Sequence, residues 1–104
     1  MFAVIYSFKV KPGLIEEFKQ TWKELTVLIY HYEQSFGSRL HSSEENVFIA
    51  YALWPDKNTW KNSGTKLPSQ ATILRNRLRD VCEEFNTLHE LIVEEDFLKT
   101  KQYQ

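Results

Sequence analysis

The chain has 104 residues with 13 basic and 14 acidic side chains, a formal net charge of -1 and a single cysteine. One domain uses up this length, the mixed charge sets up no field for nucleic acid or an acidic membrane, and a lone Cys82 excludes an intrachain disulfide or a thiolate metal cage. No apolar run approaches the roughly 20 residues that span a bilayer, and Met1 to Val10 lacks the basic leader of a signal peptide. A cytoplasmic protein is expected, with a single domain over 1–98 and a tail over 99–104.

Phe2 to Lys11 is rich in aromatic and β-branched residues and predicts a first strand, with Phe2, Val4, Tyr6, Phe8 and Val10 on one face. Pro12 and Gly13 end it. Leu14, Phe18, Thr21 or Trp22, Leu25 and Ile29 recur at three to four residues and predict a helix to Tyr32, with Glu16 and Glu17 placed to complement its N-terminal amides. Phe36 to Ser42 and Val47 to Trp54 predict a hairpin joined through Ser43 to Asn46. The second of these strands is apolar on both faces, Val47, Ile49, Tyr51 and Leu53 against Phe48, Ala50, Ala52 and Trp54.

Pro55 then opens one or two helical turns over Asp56 to Asn62, which carry Trp60. After the break at Ser63 to Pro68, Ser69 is placed to cap a helix to about Phe85 with Leu74, Leu78, Val81 and Phe85 inward. Leu88 to Phe97 predicts the last strand. The order strand, helix, strand, strand, helix, strand is the ferredoxin-like βαββαβ split of the α+β class, an antiparallel sheet backed on one face by two helices. Helices cover one face only, while the first and third strands are apolar on both. At about 25 cal/mol per Å², leaving that second face wet forfeits several kcal/mol, and a homodimer that packs two sheets together is the expected cover.

Three segments carry a resemblance to a known family: Val10-Lys-Pro-Gly13, Gly37-Ser-Arg-Leu-His41 and Trp54-Pro-Asp-Lys-Asn-Thr-Trp60. In their order and spacing, over Phe2 to Phe97, the chain resembles the antibiotic biosynthesis monooxygenase-like (ABM) domain family, whose members form dimeric α+β barrels. The resemblance implies a pocket between sheet and helices and a cofactor-independent monooxygenase or oxidase of small phenolic or quinol-type aromatics. The alternative is a non-catalytic dimer of the same fold that binds a small ligand or serves a structural role. In the haem-degrading branch an asparagine in the first strand, a tryptophan after the third and a histidine about ten residues later define the site. Here Trp60 matches the tryptophan, but the other positions fall at Tyr6 and near Gln70, and haem iron needs an axial donor. No haem is expected.

Trp60 is the first candidate for the site, since an indole stacks on a flat ligand and donates one hydrogen bond; it is equally able to serve as a hydrophobic plug. His41 and Arg39, two apart on one strand face, are candidates for a base and a cation that stabilises a phenolate. If Ser38 and Leu40 face the core instead, Arg39 and His41 line the dimer contact or the solvent. Tyr6, Tyr51 and Phe8 are candidate substrate-binding walls. Trp22 and Trp54 are expected in the core or at the interface. Arg75, Arg77 and Arg79, spaced by two, are expected to fan around a helix as solvated surface. His31 and His89 have no companion at metal-ligand spacing, and the three glycines form no phosphate loop, so neither a metal nor a nucleotide cofactor is expected.

Overall fold

The computed structural model describes residues 1–99. Of the expected tail, only Lys99 falls within them; 100–104 lie outside the described residues. The elements run β1 (Phe2–Val10), α1 (Ile15–Tyr32), β2 (Gly37–Ser42), β3 (Val47–Trp54), α2 (Lys57–Lys61), α3 (Gln70–Val81) and β4 (Cys82–Ile92). They build one antiparallel sheet in the order β2-β3-β1-β4, an α+β fold of ferredoxin-like topology. This sheet is open, not closed into a barrel.

Side-chain parity along β1 and β3 decides what each face meets. Phe2 pairs with Trp54, Val4 with Ala52, Tyr6 with Ala50 and Phe8 with Phe48, which puts these side chains on one face. Phe8, Val10, Phe48 and Ala50 pack there with Phe18 and Leu25 of α1 and Ala71, Leu74 and Leu78 of α3. Phe2, Val4, Ala52 and Trp54 form a second cluster against Trp60 of α2. Phe18 is the keystone, fully buried with its ring centroid 5.1 Å from Phe8 and 5.2 Å from Phe48. In α1 the inner stripe takes Thr21, 1 % exposed, and leaves Trp22 half-buried beside it.

The opposite face carries Ile5 and Ser7 of β1, Val47, Ile49, Tyr51 and Leu53 of β3, and Arg39 and His41 of β2. All of the β3 residues on this face are half-buried, whereas those on the helix face are buried. No helix of the described chain covers them.

The predicted boundary between the last helix and strand moves. The helix ends at Val81, not near Phe85, and β4 runs over Cys82–Ile92 instead of Leu88 to Phe97. Helical periodicity through Leu74, Leu78, Val81 and Phe85 continues past the true end because Phe85, though 54 % exposed, still lies on the helix side of the sheet. As a strand residue it lies opposite Phe8 and stacks on it, with centroids 4.8 Å apart and planes 10° from parallel. The ladder along the whole of β1 claims Glu83 and Glu84 from the helix, as tertiary pairing overrides a modest propensity. Ser69 stands at the N-cap of α3 without a side-chain cap bond.

Candidate functional site

A cavity of about 330 Å³ opens between the sheet and helices α1 and α3. Tyr6, Phe8 and Trp54 form its floor on the sheet, Phe85 stands on the β4 side, and Trp22 with Leu25 and Ile29 of α1 closes the wall opposite. An apolar cavity of about 150 Å³ admits benzene, so this one suits a body of about two fused rings.

Tyr6 and Trp60 meet at its edge. Trp60 Nε1 donates to the Tyr6 hydroxyl at 2.8 Å. An indole N–H is only a donor, so the phenol oxygen accepts and its own O–H remains available to donate. Burial raises the Tyr6 pKa above its ordinary value, the nearby Glu90 charge raises it further, and the Trp60 bond only partly offsets them. Tyr6 is therefore a neutral hydrogen-bond donor across the ordinary pH range. Trp60 is fixed in turn by its short helix: Asp56 caps α2, accepting from the Thr59 amide at 2.7 Å and its hydroxyl at 2.8 Å. Those bonds hold the Asp56 carboxyl below its ordinary pKa, and Phe2 packs against Trp60 with centroids 5.7 Å apart.

The loop after α2 is tied down by a buried carboxylate. Glu33, at the end of α1 and 4 % exposed, accepts from the amides of Gly64 at 2.7 Å and Lys66 at 3.0 Å. Gly64 has φ +103, and a Cβ there would meet the Arg75 guanidinium at 3.1 Å. The bare glycine lets that guanidinium lie against the loop. Arg75 and Arg79 both line the cavity from α3.

The six site residues expected from sequence divide by face. Tyr6 and Phe8 line the cavity, and Trp60 holds the Tyr6 hydroxyl. Phe8 is also a core residue, 3 % exposed. Arg39, His41 and Tyr51 lie on the opposite, helix-free face, with Arg39 paired to Tyr51 and His41 to Ile49. The His41 Nδ1 lies 3.2 Å from the Ile49 carbonyl oxygen. Strand pleat separates the two groups, so His41 and Arg39 share no ligand with Trp60 within one chain.

The arginines on α3 are all exposed, as expected, but two of them also border the cavity. Arg75 and Arg79 are four residues apart and share a helix face, each one position past Leu74 and Leu78 of the inner stripe. That i, i+4 relation was the available signal that these two, though solvent-exposed like Arg77, also line the cavity. Trp54, expected in the core, is buried there, Trp22 packs against the core, and both also line the cavity. Among the described residues no three His, Cys, Asp or Glu side chains gather as metal ligands, and burial pushes the Cys82 thiol up to about 11, which leaves it protonated and unreactive.

No protein-family model matches the chain, and no curated protein matches it. Solved structures do. SnoaB, a cofactor-independent oxygenase from Streptomyces nogalater, in mutant form, aligns with TM-score 0.76 and 13 % identity over 94 % of this chain and 97 % of its own. An antibiotic biosynthesis monooxygenase aligns with TM-score 0.73 and 15 % identity over 91 % and 100 %. The chain shares the fold of these two proteins. An uncharacterized NIPSNAP domain protein from Burkholderia xenovorans also aligns, with TM-score 0.71 and 16 % identity over 96 % and 100 %. At such identities the likeness is one of backbone architecture, and a fold by itself carries no reaction.

Proposed function

We propose that this protein is a cofactor-independent oxygenase or oxidase of small phenolic or quinol-type aromatic compounds, working as a homodimer. The observation that carries the proposal is the hydrogen-bonded Tyr6–Trp60 pair at the edge of an aromatic-walled cavity, in a fold shared with SnoaB, itself described as a cofactor-independent oxygenase. Trp22, Trp54 and Phe85 sandwich a flat ring, and the Tyr6 O–H donates to its phenolic oxygen. Held neutral by burial, Tyr6 stabilises the phenolate that forms without competing for its proton. That proton leaves to solvent at the open side, since no imidazole or carboxylate among the described residues lines the cavity.

The electron-rich ring carbon para to the oxyanion passes one electron to dioxygen, and the radical pair joins in a new C–O bond. The distal peroxide oxygen takes a proton. Loss of the proton on that ring carbon then breaks the O–O bond and expels hydroxide, which is protonated to water. One dioxygen is consumed, one of its atoms becomes the quinone carbonyl and the other leaves as water, so the reaction needs no external reductant. Arg39, His41 and Tyr51 take part in the contact between two sheets, where the helix-free faces of two copies cover one another.

The same lack of an imidazole or carboxylate in the cavity favours a second reading, a dimer that binds a flat aromatic without turning it over. Oxygen uptake with a panel of naphthols and hydroquinones decides between them. Consumption of dioxygen that falls about a hundredfold in Tyr6→Phe, the usual cost of one lost oxyanion donor, supports the oxygenase; saturable binding with no uptake supports the binder.

A further inference from the structure

We propose that the ligand of this cavity is an aromatic acid, a flat body of about two rings bearing a carboxylate that Arg75 and Arg79 bind. The inference rests on the aromatic-binding reading above and narrows it to one substrate class. It comes from the balance of donors and acceptors around the cavity. Arg75 and Arg79 bring two permanent positive charges to its α3 side, and among the described residues neither makes an ion pair. Arg79 has only a 3.4 Å contact to the Asn76 carboxamide.

The nearby acids are committed elsewhere. Glu33, at the end of α1, spends its Oε2 on the backbone amides of Gly64 and Lys66, and Glu90 pairs with Lys57 at 3.6 Å. Among the described residues no carboxylate, imidazole or carboxamide lines the cavity. Two of its hydroxyls are turned to carbonyls, Ser38 to that of Tyr51 and Ser63 to that of Trp60.

With the free Tyr6 O–H, the two exposed arginines give the cavity donors and positive charge to present to an occupant, with little to receive a proton from it. An occupant rich in acceptors and negatively charged supplies what is missing. Arginine forks match a carboxylate in two parallel bonds, and the guanidinium of Arg75 is already laid against Gly64.

The test compares 2-naphthoate with 2-naphthamide, which share the ring system and differ in charge, by titration of intrinsic tryptophan fluorescence. The expected result is at least tenfold tighter binding of the naphthoate, weakened by added salt. That preference is lost in Arg75→Gln/Arg79→Gln and retained in Arg75→Lys/Arg79→Lys, while naphthamide binds all three proteins alike. Equal binding of the two probes to the unaltered protein overturns the acid and leaves the aromatic site standing. A preference that survives the double glutamine variant likewise overturns the assignment to these arginines. If neither probe binds, the aromatic-site reading fails and this inference with it.

Discussion

Tyr6 and Trp60 are where stability and function are separable. In Tyr6→Phe the Trp60 N–H loses its acceptor in a half-buried place, which costs about 1 kcal/mol of stability, while the oxygenase reading asks for a loss of turnover near a hundredfold. Urea denaturation and oxygen uptake on the same variant tell them apart: a modest stability loss with unchanged turnover makes the pair merely structural. Cys82 supplies an independent probe of burial. Its folded pKa, pushed up from 9.0 to about 11 by desolvation, means that the folded protein retains a proton that the unfolded chain gives up. The stabilisation is complete below pH 9 and is lost as pH rises towards about 11. Alkaline unfolding followed by circular dichroism should begin in that window and be shallower in Cys82→Ala, and alkylation of the native thiol at neutral pH should be slow.

At the scale of elements, the cavity depends on how the segment between α2 and α3 is held. Glu33 joins the end of α1 to that segment through the amides of Gly64 and Lys66. Hydrogen bonds to a charged group contribute about 1.5–3 kcal/mol, so Glu33→Ala should lose about that amount in urea denaturation. Glu33→Gln, which keeps a carbonyl acceptor, should lose about 1 kcal/mol. Both should loosen the cavity wall at Ser63 and Gly64, read as faster amide exchange there. Equal stability in all three proteins would make the Glu33 bonds incidental. The α3–β4 junction shows why this level was only partly legible. Leu74, Leu78 and Val81 announced a helix, but its end at Val81 depends on β1 needing a partner along its far edge, a contact remote in sequence. Phe85 stays on the helix side of the sheet, stacked on Phe8, so its spacing carried no mark of the boundary.

At the scale of the whole molecule, the helix-free sheet face asks for a cover. Ile49 and Tyr51 on β3, with Ile5 beside them, sit half-buried on that face. With a second copy as the cover, sedimentation at micromolar concentration should give twice the chain mass, and Ile49→Asp should give a monomer with its circular dichroism spectrum kept. A monomeric unaltered chain would remove the dimer from the proposed function without touching the cavity on the other face.

The element order and the face of each strand residue were legible because they are local. Alternation in β1 and β3 determined that Tyr6 and Phe8 share a side, and the hairpin register carried Arg39 and His41 to one face together. Which face received the helices, and so which candidates reached a cavity, was not local. Tyr6 meets Trp60 across 54 positions of chain, and Arg75 and Arg79 reach the same cavity from a helix whose sequence reads as ordinary charged surface. Periodicity reports which residues share a side of an element. Only the packing of elements against one another, set by long-range pairing and burial, decides what that side confronts.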